Sequence, residues 1–389
     1  MFGKEDNMAK SFFLMNKDVV VAEVHKKNTE LGPGFELGEI YGTLPLGCED
    51  FEEWINNRKA AKHNRHLANL MERIGCLETE GFINLTRAAS LNDTFWVKLE
   101  TDSGKWKDVS LYSNGFTELI SRLAFLGYGI PDEKFSLTKA TTPELGMEGS
   151  FPKCFKKEDN GIFLYKRGRE NYTNGGLEPY AEVLSSEFAK AFCLEAVKYE
   201  LASIYGRTAS RCELFTNEET GYVPYYRVSK ASALINMTRF FEKIGSEDAF
   251  RRMLVSDSII MNEDRHLGNF GVLVNNDSQE ILKIAPAFDF NVSLCWNLTK
   301  EDFEHFGDSI LDKAPKIGHD FIELGQKVMT DDIRSDLKNL RGFRFSFRGD
   351  DKFPAWRVQK MEEIIDRQIE GLISKEKLLT KDIFIPEQQ

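Results

Sequence analysis

Residues 261–274, MNEDRHLGNFGVLV, contain an acid, a base, an amide and two glycines between two apolar runs. The preceding DAFRRMLVSDSIIMN has the spacing of a helix, and the following FGVLV is typical of a strand. A polar turn at such a junction is exposed, so Asp264, His266 and Asn269 can face a cleft. We therefore interpret this turn as a site of chemistry.

The spacing of the polar residues in this turn favours a base next to a metal ligand. Asp264 and Asn269 are five positions apart, so a tight loop can direct the acid at one atom and the amide oxygen at a cation. The hairpin VLVNNDSQEILKIAP then returns the chain and brings Asp289 near the loop. Mg²⁺ takes oxygen ligands and keeps water and phosphate oxygens, so Asn269 and Asp289 are candidate Mg²⁺ ligands. Asp264 is the candidate catalytic base.

His266 and the turn as a whole each allow a second interpretation. The ordinary pKa of histidine suits a general base, and on that ground His266 is a catalytic candidate. In a loop that already holds Asp264, however, we favour a histidine that hydrogen-bonds to the backbone and braces the turn. Asp and Asn are also common in turns for local hydrogen-bonding reasons, so a purely structural role for the whole turn stays open.

Phosphoryl transfer requires more than a base and metal ligands, and this chain has a candidate for each further part. The reaction uses a glycine-containing loop over the phosphates and a lysine on a strand that is held by a glutamate on a helix. The turn PELGMEGS supplies Gly146, Gly149 and Ser150, and the strand GIFLYKRG supplies Lys166. Glu187 opens a predicted helix and can pair with Lys166, or it can complement the dipole of that helix. These five residues are the candidates for binding ATP.

Composition limits the remaining classes of protein. The chain has 389 residues, 41% of them hydrophobic, which is enough for two or three domains with sizeable cores. The formal net charge of −11 attracts neither nucleic acid nor an anionic membrane, so we expect no direct contact with either. The six cysteines form no C-x-x-C pair, and no apolar run is long enough to span a membrane. These features predict a soluble cytoplasmic protein.

Secondary-structure patterns divide the chain into three parts and indicate an α+β fold. Residues 1–135 form an α+β extension of unknown role, in which the Gly/Pro-rich residues 31–38 are predicted as a loop. Residues 136–230 are mainly short strands with one helix at 185–201, and residues 231–389 are mainly helical. We expect a strand-rich lobe followed by a helical lobe, with the chemistry where they join.

The motif D-x-H-x-x-N at residues 264–269, followed by A-P-x-x-D at residues 285–289, resembles the catalytic loop and metal motif of HipA-like serine/threonine kinases of bacterial toxin–antitoxin systems. The resemblance implies a two-lobed protein-kinase-like fold with ATP and Mg²⁺ as cofactors. By the same analogy Asp264 is the catalytic base, and Asn269 and Asp289 hold the metal.

The resemblance extends from about residue 136 to about residue 375. Lys166 and Glu187 match the nucleotide-binding lysine and the helix glutamate of the family by position and context. The phosphate loop departs from the pattern, because the family has a Gly-x-Gln-x-Lys run where this chain has GMEGS at residues 146–150. A pseudokinase that binds nucleotide without transferring phosphate therefore stays open.

The resemblance also implies partners. HipA-like kinases act on proteins, so we expect a protein substrate, which can be a translation-linked protein, and a small antitoxin protein as partner. The family often phosphorylates itself just before the phosphate loop, where this chain offers Thr141, Thr142 and Ser150. The D-R-H-x-x-N pattern also resembles phosphatidylinositol kinases, so a lipid or small-molecule kinase is the alternative to a serine/threonine protein kinase.

Overall fold

The computed structural model describes residues 11–29, 32–60, 64–131, 137, 139–146, 149–170, 174–192 and 195–374. The strands are β1 (Phe12–Asn16), β2 (Val19–Thr29), β3 (Gly32–Ile40), β4 (Phe95–Leu99), β5 (Lys153–Glu158), β6 (Gly161–Lys166), β7 (Tyr199–Ile204), β8 (Arg207–Glu213), β9 (Thr220–Pro224), β10 (Gly271–Asn275) and β11 (Ile281–Ile284). The helices are α1 (Phe51–Asn57), α2 (Arg65–Arg73), α3 (Thr79–Thr86), α4 (Trp106–Val109), α5 (Glu118–Leu126), α6 (Glu178–Phe192), α7 (Tyr225–Val228), α8 (Leu234–Lys243), α9 (Glu247–Ile259), α10 (Lys300–Glu304), α11 (Phe306–Ser309), α12 (Phe321–Val328), α13 (Asp331–Asn339) and α14 (Ala355–Ser374).

The chain forms two compact units, each made of separate stretches of sequence. Unit 1 comprises Met1–Phe163, Thr216–Tyr222 and Val274–Glu280, and unit 2 comprises Leu164–Phe215, Val223–Leu273 and Ile281–Gln389. The limits of these units differ from the domain boundaries that the sequence predicts near residues 135 and 230. The division into three functional domains stays a prediction.

Unit 1 is built on a four-stranded sheet with the order β3-β2-β1-β4. β1 pairs antiparallel with β2 on one side and with β4 on the other, so that Phe12 lies opposite both Val24 and Leu99. Phe12 is fully buried and belongs to a core that includes Phe51 of α1 and Phe82 of α3. Phe12 and Leu14 of β1, two positions apart, thus lie on the face of the sheet that belongs to this core.

The prediction of a loop at residues 31–38 is wrong. Residues from Gly32 onward form β3, which pairs with β2 and places Pro33 opposite Asn28. β3 is an edge strand of this sheet, and an edge strand tolerates proline because one side of its backbone makes no ladder hydrogen bonds. Leu31 lies outside the described residues.

Two further sheets have the strand orders β5-β6-β8-β7 and β11-β10-β9. β7 and β8 form an antiparallel hairpin in which Leu201 lies opposite Ser210. β10 and β11 are the hairpin that the sequence predicts after the polar turn.

In unit 2, an aromatic cluster lies next to the end of the polar turn. Phe241 of α8 and Phe250 of α9 stack with their ring centroids 4.5 Å apart, and Phe270 stacks on Tyr225 at 5.2 Å. Phe270 directly follows Asn269 in the chain and is 2% exposed. The cluster therefore anchors the turn at its C-terminal end.

The longest helix of unit 2 within the described residues is α14, and its buried side chains recur at intervals of three and four residues. It packs against α9, α12 and α13. Its other face is charged, and among the described residues no helix is long and apolar enough to cross a membrane.

Candidate active site

The polar turn connects α9 to β10, and backbone contacts hold Asp264 in it. The Asp264 N–H donates to Oδ1 of Asn262 at 3.0 Å, and the Asp264 carbonyl accepts from Nδ2 of Asn269 at 2.9 Å and from the N–H of His266 at 2.8 Å. Among the described residues, no hydrogen-bond or ion-pair partner reaches the Asp264 carboxylate. The backbone of this residue is fixed while its acid group is left available.

The electrostatics of the turn make Asp264 a stronger base than an ordinary aspartate. Burial raises the pKa of Asp264, and His266 opposes that rise while the charge of Asp289 adds to it. Because the charge of Asp289 affects the pKa of Asp264, the carboxylates of these two residues lie near each other. A half-buried carboxylate with a raised pKa suits proton abstraction from a hydroxyl.

Asn269 is held so that its side-chain oxygen is available. Its Nδ2 donates to Asp264, its backbone carbonyl accepts from Arg265, and the residue is 8% exposed. No donor from the described residues reaches its Oδ1. A fixed amide oxygen of this kind can serve as a ligand for a hard cation such as Mg²⁺.

Asp289, the second proposed Mg²⁺ ligand, follows β11 in a strained backbone conformation. Its φ is +61°, in the left-handed region that side-chain-bearing residues rarely adopt. Its Oδ1 lies 2.5 Å from Nζ of Lys166. Such conformations concentrate at functional sites, where the surroundings hold them in place. An amide oxygen and a carboxylate are a donor set that fits Mg²⁺ when phosphate oxygens and water complete the coordination.

Lys166 is the last residue of β6 and joins Asp289 to α6. Its Nζ lies 2.5 Å from Oε1 of Glu182, and it is 7% exposed. Burial alone lowers the pKa of Lys166, but the charges of Asp289 and Glu182 and their hydrogen bonds outweigh it, so that the pKa rises. The lysine therefore stays charged. Ser210 of β8 donates to the other oxygen of Glu182.

Both interpretations of Glu187, as the partner of Lys166 and as an acid in the first turn of its helix, are wrong, because α6 begins at Glu178 and not near residue 185. Glu187 accepts from the N–H and hydroxyl of Ser346 at 2.7 and 3.0 Å. Glu182 takes the place beside Lys166. Two residues five positions apart differ by about 140° around a helix, so only one of them can face β6. The signal that could have located the helix start is Pro179, which is typical of a first turn.

The candidate phosphate loop lies in unit 1, where Gly146 ends a short 3₁₀ turn. Gly149 has φ +106°, a conformation that favours glycine. Ser150 follows it, and residues 147 and 148 lie outside the described part of the chain. The function of this turn in phosphate binding stays a prediction.

His266 braces the turn. Its Nδ1 accepts from the N–H of Gly268 at 3.0 Å, and the residue is exposed. A side chain at Gly268 would place its Cβ 2.9 Å from Cε1 of this ring, so the His266 ring would have to shift to accommodate it. The contact supports the structural role favoured for this histidine, and its use as a general base stays a prediction.

Two functional candidates that the sequence reasoning missed are Asp257 of α9 and Arg265. Both are 1% exposed, and Arg265 donates from Nε and Nη2 to the two carboxylate oxygens of Asp257 at 2.7 and 3.0 Å. An acid inside the apolar run MLVSDSIIM is the signal for such a pair, because a buried acid requires a partner.

A cavity of about 530 Å³ also lies in unit 2, lined by residues such as Phe192, Arg252, Met253, Ala285 and Ala287. None of the predicted site residues lines it. The nucleotide hypothesis therefore rests on the cluster around Lys166 and not on this cavity.

Comparisons with known proteins show the fold. No family model matches the chain, and no curated protein matches it. The fold is similar to that of HipA from Shewanella oneidensis MR-1, solved as a toxin–antitoxin complex with HipB and operator DNA, with 12% identity over 94% of this chain and 100% of that chain and a TM-score of 0.53. A second similar structure, the Helicobacter pylori proinflammatory kinase CtkA, has 16% identity over 60% of this chain and 92% of that chain, with a TM-score of 0.44. The likeness to HipA confirms the predicted α+β fold and shows that it is HipA-like.

Proposed function

We propose that this chain, which has a HipA-like fold, is an ATP- and Mg²⁺-dependent kinase that phosphorylates serine or threonine hydroxyls of a protein. The observation that carries the proposal is the contact of Lys166 with both Glu182 and Asp289. Asp264, whose carboxylate has no partner among the described residues, supplies the base. A lysine held by a helix acid, a metal-binding aspartate and a base are the groups that phosphoryl transfer uses.

In the proposed reaction the acceptor hydroxyl oxygen forms a bond to the γ-phosphorus of ATP. The bond from that phosphorus to the β–γ bridging oxygen breaks, ADP leaves, and the hydroxyl proton passes to Asp264. Lys166 binds phosphate oxygens, and Glu182 orients its ammonium group. Asn269 and Asp289 would hold Mg²⁺, which supplies neutralisation of the phosphate charge when it is bound.

We extend the proposal to partners only by analogy. HipA of the similar structure is in a complex with HipB and operator DNA. An antitoxin-like protein is therefore the partner class that we propose for this chain, and a translation-linked protein in the cytoplasm is the acceptor class. Copurification of a small protein with the tagged chain tests the proposed antitoxin-like partner.

The experiment that tests the activity is intact-mass measurement and phosphosite mapping after incubation with Mg-ATP and a mixed protein acceptor. Wild type, Asp264→Asn and the control Asp277→Asn are compared, because Asp277 is an exposed acid of unit 1 that pairs with Lys17. Added phosphate with wild type and the control, but not with Asp264→Asn, supports the proposal.

Two other outcomes would redirect the assignment. Transfer to lipid or small-molecule acceptors, with none to protein, would favour the alternative kinase class. Binding of Mg-ATP with no transfer to any acceptor would indicate a pseudokinase.

A further inference from the structure

We infer that Arg265 is the positioning residue that holds the base-bearing turn and the metal-binding segment together as one unit. The residue is 1% exposed, and its side chain contacts three separate segments of unit 2. Its expected effect on catalysis rests on the proposed function, whereas its mechanical effect does not.

The geometry divides the Arg265 guanidinium between an anchor and two backbone carbonyls. Nε and Nη2 form a two-point contact with the Asp257 carboxylate on α9. Nη1 donates to the carbonyl of Asn269 at 2.6 Å and to the carbonyl of Phe288 at 2.5 Å. Asn269 is one proposed metal ligand, and Phe288 directly precedes the other, Asp289. One planar group therefore sets the distance between the backbones that carry both ligands.

The same anchor reaches the catalytic base by a second route. Oδ1 of Asp257 accepts from Nδ2 of Asn262 at 2.9 Å. Oδ1 of Asn262 in turn accepts from the N–H of Asp264 at 3.0 Å. Asn262 is fully buried, so this relay is protected from water. The carboxylate of Asp257 thus fixes the position of Asp264 as well as that of Arg265.

Lysine cannot replace arginine in this role. A guanidinium offers five donors in a fixed plane, whereas an ammonium is a point charge with three rotatable donors on a flexible stem. Arg265→Lys keeps a positive charge for the buried Asp257 but cannot bridge both carbonyls and the carboxylate. This variant therefore separates the positioning role from simple charge balance.

The chain offers a matched control in unit 1. Arg58 is 4% exposed and makes a two-point contact with Asp93 at 2.6 and 3.0 Å. It also donates to the carbonyls of Ala88 and Phe95 at 3.0 and 3.1 Å. Arg58→Lys removes contacts of the same kind, but these contacts involve none of Asp264, Asn269 and Asp289.

The first test is amide hydrogen exchange of the wild type, Arg265→Lys and Arg58→Lys, without nucleotide. We expect the exchange of residues 264–269 and 287–289 to speed up together by about tenfold or more in Arg265→Lys, since lost coupling lets both segments open. In Arg58→Lys both segments should exchange as in wild type. Unchanged exchange in either segment of Arg265→Lys would overturn the inference, and this result does not depend on any enzymatic activity.

The second test is kinetic and applies if the chain transfers phosphate. We expect Arg265→Lys to lower kcat by about 10- to 100-fold per folded molecule and to raise the Mg²⁺ concentration for half-maximal rate by about tenfold. Arg58→Lys should lower the melting temperature but leave the Mg²⁺ concentration for half-maximal rate at the wild-type value. A change in melting temperature alone in Arg265→Lys would show a merely structural residue. If wild type transfers nothing, the proposed function fails, and the exchange result still decides the positioning role.

Discussion

Oε1 of Glu182 lies 2.5 Å from Nζ of Lys166, and the side chains of Glu182 and Lys166 are 1% and 9% exposed. The pair connects α6 to the end of β6, and Asp289 contacts the same ammonium. Removing one member leaves a buried charge with fewer partners, which destabilises a fold more than the loss of a surface ion pair does. The consequences of this arrangement can be measured with small substitutions.

Glu182→Gln and Glu187→Gln form a matched pair on one helix. We expect Glu182→Gln to lower the free energy of unfolding by about 1–3 kcal/mol and to weaken ATP binding by about tenfold, because Lys166 loses its orienting charge. Glu187 bonds to Ser346 instead, so Glu187→Gln should bind ATP as wild type does. Calorimetric titration with Mg-ATP measures the affinities. An equal loss of ATP affinity in both variants would contradict the assignment of Glu182 as the acid that orients Lys166.

Asp264→Asn should lower the rate of transfer by about 10²- to 10⁴-fold while the affinity for Mg-ATP stays at the wild-type value. The amide keeps the shape of the side chain but cannot accept the hydroxyl proton. The pKa of Asp264 is raised by burial, so the acidic limb of the wild-type rate profile should lie above the ordinary aspartate range. Steady-state rates against pH measure this, and a wild-type rate in Asp264→Asn would refute the mechanism.

The raised pKa of Asp264 also predicts how stability depends on pH. A carboxyl whose pKa is higher in the folded state contributes stability at pH values below its unfolded pKa of about 3.9, and this is lost as pH rises through the folded pKa. Asp264→Asn should therefore melt at a higher temperature than wild type at neutral pH. The difference should shrink as the pH falls below the ordinary carboxyl range. Thermal unfolding across pH tests the sign, and a variant less stable at neutral pH would reverse it.

Asp289→Asn should raise the Mg²⁺ requirement. Asparagine adopts the left-handed backbone of this position more readily than most residues, so the variant keeps the fold. It replaces a charged metal ligand by a neutral one and removes one of the two acids beside Lys166. We expect the Mg²⁺-dependent part of ATP affinity to fall about tenfold or more. Titration of ATP into wild type and Asp289→Asn, with and without Mg²⁺, measures this. Equal changes in affinity under the two conditions would contradict the role of Asp289 as a metal ligand.

The hydroxyls near the candidate phosphate loop differ in accessibility. Thr142 is 2% exposed, and its hydroxyl donates to the buried carboxylate of Glu144 at 2.7 Å. Thr141 and Ser150 are half-buried. If the chain phosphorylates itself, the phosphate should appear on Thr141 or Ser150 and not on Thr142. Peptide mapping of the wild type decides this, with Thr142→Val as the control that should keep full incorporation.

The polar turn can be predicted from local sequence patterns, because the helix, the loop and the hairpin follow one another directly in the chain. Asp264, Asn269 and Asp289 were found by their spacing, and the turn lies between α9 and β10 as expected. Lys166 was found because it ends an apolar strand. The α+β class followed from the alternation of strand and helix periods.

The partners of these residues were harder to predict. Whether Glu182 or Glu187 faces Lys166 depends on where α6 begins, and helix limits are the least certain feature of a sequence pattern. The Gly/Pro-rich β3 became a strand because β2 offered it a free edge. Neither outcome is encoded by the residues of one segment alone.

The sequence by itself thus determined which groups carry the proposed chemistry, because a base, an amide and an acid at short separations are set by the local chain. Only the tertiary structure decided what holds them in place. Asp257 and Arg265 are eight residues apart, yet Arg265 also reaches the carbonyl of Phe288 across the β10–β11 hairpin. Burial explains the difference, because a buried arginine and a buried aspartate need hydrogen-bond partners in place of water. The residues that supply these partners come close together only in the folded chain.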